Sequence, residues 1–278
     1  MKTRIISGMA ALAFLAAIMF LGRAALGLVV FIISLIGMHE FYSAARSGGY
    51  KPFNLLGYLF CLPLLLIALS NGKATGIGIV DTLTTLKGIS FCIFLLLIVL
   101  FCLIVFLHDR YNLIDISVTL FGIFYVAFLF SFVILTRNLD NGYLYIWLVF
   151  IGAWSTDTFA YFTGVSIGKT RILPAISPKK SLEGSIGGTI GCIAAMLAFG
   201  FYINKYIDNI PLYHYIILGL LCSIVSQVGD WAASAVKRFV KIKDYGRIMP
   251  GHGGVLDRVD SLLFVAPTVY FYIIMVIQ

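Results

Sequence analysis

Charged side chains are concentrated between Ser234 and Asp260, in a chain that is otherwise mostly apolar. The stretch SAVKRFVKIKDYGRIMPGHGGVLDRVD combines lysines and arginines with aspartates, glycines and a proline. Cations suit phosphate groups, glycines let a ligand approach the backbone, and carboxylates suit a hard metal ion. An ionised residue at the centre of a membrane helix costs about 2.5–3.5 kcal/mol, so such charge beside apolar helices predicts a function. We therefore predict a nucleotide- and phosphate-handling site at a membrane surface.

A carboxylate also lies within an apolar helix further upstream. Asp157, Tyr161 and Gly164 occupy positions i, i+4 and i+7 and so share one helix face. An intramembrane carboxylate predicts a functional site by default, and a hydrogen-bonded aspartate that packs helices together is the structural alternative.

The loop that follows is basic and rich in glycine. The segment Gly164–Thr170 resembles a P-loop, but it has three residues between its glycines where the motif has four, and no strand precedes it. An ATP-hydrolysing P-loop is therefore excluded. Lys179 and Lys180 still suit phosphate, and Ser181 is predicted to open a helix whose amides can face an anion. A merely basic loop is the alternative.

Acids lie on both sides of the basic stretch. Asp230, Ser234 and Lys237 are spaced i, i+4 and i+7, which places a carboxylate, a hydroxyl and a cation on one helix stripe. The alternative is an aspartate–lysine pair that stabilises the helix end. Asp257 and Asp260 repeat the pattern at i and i+3, where the helix dipole would also favour acids.

These residues must be positioned by membrane helices. Of 278 residues, 61% are hydrophobic and 12% are charged, about half the charged fraction of a soluble domain. Apolar runs near the ~20 residues needed to cross a bilayer recur along the whole chain. We predict an all-α polytopic integral membrane protein with about nine transmembrane helices. The predicted spans are 5–21, 24–44, 54–70, 89–107, 115–136, 143–163, 184–203, 214–236 and 259–277.

The basic residues predict the orientation of these spans. With the N-terminus in the cytoplasm, fifteen Lys and Arg residues lie inside and five outside. Without the polar loops 164–183 and 237–258 the count is five on each side, so those loops determine the assignment. Both loops are then cytoplasmic and the C-terminus lies outside. Because the net charge of +8 resides in loops between apolar runs, we expect no nucleic acid partner.

The polar segments together resemble a known family. The pattern Ser234-x-x-Lys237-Arg238-x4-Lys243-Asp244-x-Gly246, continued by Pro250-Gly251-His252-Gly253-Gly254-x-x-Asp257-Arg258-x-Asp260, resembles the signature of the phosphatidate cytidylyltransferases, also called CDP-diacylglycerol synthases. The helix from Asp157 to Gly164 and the loop SPKKSLEGSIGG resemble the same family. The likeness covers about 154–261, while residues before 150 agree only in forming several apolar helices.

The resemblance implies a reaction between CTP and phosphatidic acid that yields CDP-diacylglycerol and pyrophosphate and requires Mg²⁺. It also implies a metal centre held by Asp230 and Asp257, with K⁺ as a possible second cation. A homodimer surrounded by membrane lipids is expected, in the bacterial inner membrane, with a polar cavity facing the cytoplasm. Residues 1–150 would be structural, dimer-forming or lipid-facing helices, and residues 151–278 the catalytic region with its signature at 234–260.

Roles can be assigned to the matching residues. Asp230 and Asp257 are expected to bind the metal, with Asp260 as an additional or supporting ligand and Lys237 and Arg238 completing the catalytic set. The expected substrate-binding residues are Asp157, Tyr161, Lys179, Lys180, Ser234, Lys243, Asp244, His252, Gly253, Gly254 and Arg258. The cations would hold the triphosphate or the lipid phosphate, the glycines would let the backbone approach, and His252 would contact phosphate or shape its loop.

Two alternative functions would also suit these residues. A CTP-dependent cytidylyltransferase or kinase acting on an isoprenoid ether lipid phosphate or a polyprenol would carry similar headgroup chemistry. A cation-coupled anion transporter is more remote, because the chain has no inverted repeat and its charges lie at one face of the membrane.

Overall fold

The computed structural model describes residues 15–70, 86–207, 210–248 and 253–278. Within these ranges all long elements are helices and no β-strand forms, although Arg171 and Ser181 make one isolated bridge. Helices are expected of a membrane protein because they satisfy their own backbone hydrogen bonds in a bilayer. The chain forms two compact units, which divide between Phe128 and Leu129.

Residues 15–21 are helical, and five further α-helices follow in the described part of the first unit. They are α1 (Arg23–Ser47), α2 (Asn54–Leu59), α3 (Leu62–Leu69), α4 (Leu86–Phe106) and α5 (Leu113–Gly122), with a π-helical turn at Ile123–Phe128. Helix α1 packs against α3 and also contacts α2 and α5.

A buried acid fixes the start of α5. Asn112 caps the helix by accepting the backbone N–H of Asp115, whose carboxylate accepts the N–H of Asn112 in return. The same carboxylate accepts the backbone N–H of Lys51 at 2.7 Å. Asp115 therefore ties the loop after α1 to α5, which is a structural role.

The described part of the second unit also contains five α-helices. They are α6 (Leu129–Asn138), α7 (Gly142–Ile167), α8 (Leu182–Ile203), α9 (Leu212–Phe239) and α10 (Leu256–Tyr272), which a π-helical turn extends over Ile273–Ile277. Helix α8 packs against both α7 and α9, and α10 packs against α6, α7 and α9.

Glycines bring α7 and α8 unusually close together. A Cβ atom added at Gly188 would lie 2.9 Å from both the backbone oxygen of Thr156 and the Cβ of Ala160. A Cβ at Gly184 would lie 2.9 Å from the backbone oxygen of Ala160. Because Asp157 directly follows Thr156, this contact sets the position of its carboxylate relative to the start of α8.

The predicted spans from 24–44 onward all coincide with helices, although the span at 54–70 is interrupted between α2 and α3. The first predicted span, 5–21, lies mostly outside the described residues. Its described part, residues 15–21, is helical. Five helices in the described part of the chain are long and apolar enough to cross a membrane. They are Arg23–Ser47, Leu113–Asn138, Leu182–Ile203, Leu212–Phe239 and Leu256–Ile277. These are the features of a polytopic membrane protein.

Helix α7 is not among those five, although its 26 residues are long enough to span a bilayer. Its middle carries the polar run of residues 155–158, which includes Asp157.

The predicted division at residue 150 separates structural helices from a catalytic region. It concerns function and stays a prediction.

Candidate active site

Most of the predicted site residues lie at one end of the second unit. This end, called the polar end below, is defined by Lys180, Asp230, Lys237 and Asp257. The two polar loops of the sequence meet here, because Arg238 Nε donates a hydrogen bond to the backbone oxygen of Ile176 at 3.3 Å. The structure therefore places both loops at the same end, as expected if the two predicted spans between them, 184–203 and 214–236, both cross the membrane.

The 168–181 loop is closed at its base by Glu183. Its carboxylate accepts the backbone N–H groups of Lys169 at 3.0 Å and Thr170 at 3.2 Å. The N–H of Leu182 donates to the oxygen of Thr170 at 2.9 Å. Ser181 caps α8 by accepting the N–H of Gly184 at 3.2 Å, which confirms the predicted helix start.

Lys180, the residue before this cap, reaches across to α9. Its ammonium forms an ion pair with Asp230 Oδ2, and Ser234 Oγ lies 3.5 Å from the other oxygen of that carboxylate. Burial lowers the pKa of Lys180, and the negative charges of Asp157 and Asp260 oppose this shift. Lys180 therefore belongs to the same electrostatic cluster as three aspartates.

Asp257 organises the loop between α9 and α10. Its Oδ1 accepts a hydrogen bond from Lys237 Nζ at 2.6 Å, and its Oδ2 accepts the backbone N–H groups of Tyr245 at 2.8 Å and Gly254 at 3.0 Å. The side chain is 4% exposed. Gly253 has a φ of 86°, a left-handed conformation that glycine adopts readily.

Asp157 and Asp260 meet through Ser261. The hydroxyl of Ser261 lies 3.4 Å from Asp157 Oδ1, and its backbone N–H donates to Asp260 Oδ1 at 2.8 Å. Asp260 is buried, whereas Asp157 is exposed on the surface of α7. Arg258 of α10 also interacts electrostatically with Asp157.

The carboxylates retain room for a divalent cation. A carboxylate offers about four acceptor positions for hydrogen bonds. Donors from described residues occupy three of these positions on Asp257 and two on Asp230. No group of three or more His, Cys, Asp or Glu side chains in the described ranges has metal-binding geometry. This donor set fits Mg²⁺, which proteins often hold by one or two carboxylates while phosphate oxygens and water complete the octahedron.

Other predicted residues lie exposed on or near the polar end. They are Tyr161, Lys179, Arg238, Lys243, Asp244 and Arg258. Tyr161 is 66% exposed, and its ring contacts that of Phe162. The predicted residue His252 lies outside the described residues.

The structure corrects one alternative and adds partners that the sequence did not indicate. The alternative of an Asp230–Lys237 pair is wrong, because Lys180 pairs with Asp230 and Lys237 pairs with Asp257. The roles of Ser261 and of the Tyr245 N–H were missed. A hydroxyl directly after Asp260 in an apolar run was a weak signal for Ser261, but a backbone donor such as that of Tyr245 leaves no signal in sequence.

A cavity of about 310 Å³ lies at the other end of the second unit. Its lining includes Asn141, Tyr145, His214 and Ile277. None of the predicted site residues lines this cavity, so it is separate from the polar end.

Comparison with known proteins places the chain in a family. Residues 2–276 match the sequence model of the cytidylyltransferase family. The chain belongs to the cytidylyltransferase family. As a member of this family, it is a nucleotidyltransferase.

Curated relatives from several bacteria are similar to the chain over nearly its whole length. A phosphatidate cytidylyltransferase of Bacillus subtilis (strain 168) is 34% identical over 274 residues, covering 98% of this chain and 97% of the relative. One of Staphylococcus haemolyticus (strain JCSC1435) is 32% identical and covers 96% of each chain. One of Synechocystis sp. (strain ATCC 27184 / PCC 6803 / Kazusa) is 30% identical and covers 99% of this chain and 97% of the relative.

Proposed function

We propose that the chain transfers the cytidylyl group of CTP to phosphatidic acid, giving CDP-diacylglycerol and pyrophosphate. The observation that carries this proposal is the polar end itself, where the ion pairs Lys180–Asp230 and Lys237–Asp257 lie at the ends of apolar helices. One substrate is soluble and the other stays in the bilayer, so the reaction needs charged groups at a membrane boundary. The full-length similarity to phosphatidate cytidylyltransferases supports the choice of substrates.

The nucleophile in this proposal is a phosphate oxygen of the lipid, which attacks the α-phosphorus of CTP. This oxygen is already anionic near neutral pH, so no strong protein base is required. The protein must align two polyanions that repel each other and neutralise the charge that develops on the leaving pyrophosphate. Lys237, Arg238, Lys243 and Arg258, with Lys179 and Lys180, hold the triphosphate and the lipid phosphate.

Asp230 and Asp257 would hold Mg²⁺, with Asp260 as an additional or supporting ligand, and K⁺ is a possible second cation. When bound, Mg²⁺ supplies Lewis-acid neutralisation of phosphate oxygens. Asp257 also holds the N–H groups of Tyr245 and Gly254, so the same carboxylate would couple the shape of the loop to cation binding.

The finer membrane arrangement is part of the proposal. We propose nine transmembrane helices, with the N-terminus in the cytoplasm and the C-terminus outside, in the inner membrane of a bacterium. The polar end then forms a cavity that faces the cytoplasm and opens sideways to membrane lipids, and the protein acts as a homodimer. The five helices that are long enough to cross a membrane support a polytopic arrangement, and the basic residues of the two polar loops support its orientation. The homodimer is proposed from the family resemblance.

The function is tested by incubating the detergent-purified protein with labelled CTP, Mg²⁺ and phosphatidic acid, and identifying the lipid product by mass spectrometry. We expect CDP-diacylglycerol, no product in EDTA and recovery when Mg²⁺ is added. A parallel panel contains an isoprenoid ether lipid phosphate and a polyprenol. Product from one of these lipids but none from phosphatidic acid would establish the alternative substrate class instead.

A further inference from the structure

Hydrogen bonds to both the backbone N–H and the backbone oxygen of Lys180 hold this residue in place. Its N–H donates to the oxygen of Ser177 at 3.3 Å, and its own oxygen accepts the N–H of Ile172 at 3.3 Å. Ser181, which follows it, is the buried cap of α8. The backbone is therefore fixed, and the ammonium reaches Asp230 through a side chain that is 28% exposed.

Lys180 contacts one carboxylate directly and interacts electrostatically with two others. Asp157 and Asp260 attract it, in addition to its direct contact with Asp230, and Lys237 repels it. Lys237 itself is paired with Asp257 and is only 12% exposed. A divalent cation held by Asp230 would lie close to the positive charge of Lys180, and like charges repel each other.

We propose that Lys180 exchanges partners as substrates bind: it neutralises Asp230 first, then yields this carboxylate to the divalent cation and moves to a phosphate of the nucleotide. The inference rests on the proposed function, because it assumes that Asp230 binds the cation and that CTP is the nucleotide. It gives Lys180 two successive roles, where substrate binding alone would give it one.

Removal of the charge should then change two affinities in opposite directions. Without nucleotide, the loss of Lys180 frees Asp230 and strengthens cation binding. With nucleotide, the same loss removes a phosphate contact and weakens CTP binding. A residue that only supports the fold would weaken both affinities, so the two measurements separate these roles.

The experiment measures Mn²⁺ binding to the detergent-purified full chain without nucleotide, using the electron paramagnetic resonance signal of free Mn²⁺. We expect Lys180→Met to bind Mn²⁺ at least about fivefold more tightly than the unsubstituted protein, the lower end of typical site couplings. Its affinity for labelled CTP, measured by equilibrium dialysis with Mg²⁺ present, should fall about tenfold. Lys180→Arg keeps the charge and should retain the original Mn²⁺ affinity.

The matched control is Lys169→Met, an exposed lysine of the same loop whose backbone N–H contacts Glu183; its Mn²⁺ affinity should not change. If Lys180→Met does not fold, Lys180→Gln replaces it, and the same results are expected.

Unchanged or weaker Mn²⁺ binding in Lys180→Met, with binding abolished by Asp230→Asn, would overturn this inference and leave the metal site intact. Mn²⁺ binding that Asp230→Asn does not affect would overturn the metal assignment, and the inference with it.

Discussion

At the scale of single residues, Asp257 combines a structural and a proposed chemical task. Three donors converge on its carboxylate, from Lys237, Tyr245 and Gly254. Because the pair with Lys237 is buried, removal of one partner leaves an uncompensated charge, at a cost of about 3–5 kcal/mol. The same carboxylate keeps an acceptor position on Oδ1 for a cation.

We predict that Asp257→Asn inserts into the membrane but forms CTP-dependent lipid product at least about 100-fold more slowly. Mutation of a residue that only contacts a metal ligand typically costs 10–100-fold in activity, so loss of a ligand itself should cost at least as much. Its thermal unfolding temperature should also fall, because the buried Lys237 loses its anion. Turnover with labelled CTP and thermal unfolding in detergent measure the two effects.

The matched control is Asp109→Asn, at an exposed acid of the first unit beside His108, and both quantities should stay near their original values there. Near-normal turnover of Asp257→Asn would contradict its proposed role in metal binding, and an unchanged unfolding temperature would contradict its structural role.

The sequence located the acids of the site but not their partners. Helical spacing showed that Asp230 and Lys237 share a face, yet the long side chain of Lys237 instead reaches Asp257, twenty positions away. Spacing predicts which residues can meet within one helix. It does not predict pairs between helices, which depend on how the helices pack.

At the scale of helices, the α7–α8 contact positions Asp157. The apolar runs predicted both helices correctly, because each is long enough to cross a bilayer. The sequence GSIGGTIG also showed many glycines at the start of α8. What it did not show is which glycines face backbone atoms of α7, since that depends on the partner helix.

Gly188→Ala should destabilise the second unit and lower turnover. The added Cβ would meet the backbone oxygen of Thr156 at 2.9 Å, an atom that cannot rotate away, and overpacking of this kind costs about 1–3 kcal/mol. The helices must separate slightly, which moves Asp157 away from Lys180. Thermal unfolding and turnover should both fall, whereas Ile190→Ala, at a position on α8 that is 63% exposed, should change neither. Equal stability of the two variants would show that α7 and α8 are less tightly packed than described.

At the scale of the whole molecule, the sequence predicted an all-helical membrane protein and placed the two polar loops on one side. The hydrogen bond between Arg238 and Ile176 agrees with that placement. The division into two units after Phe128 could not be predicted, because hydropathy describes each span separately and carries no information on which spans pack together.

The remaining global prediction is the direction of insertion, which single cysteines at opposite ends of α8 can measure. We expect Ala175→Cys, in the 168–181 loop, to react with an impermeant thiol reagent only after the cytoplasmic side is opened. Tyr206→Cys, beyond the C-terminal end of α8 and at a position that is 59% exposed, should react in intact cells. The five native cysteines are replaced by alanine in both variants, and the cysteine-free protein measures background labelling. Labelling of Ala175→Cys from outside would place the polar end away from cytoplasmic CTP, and the proposed reaction would then lack its soluble substrate.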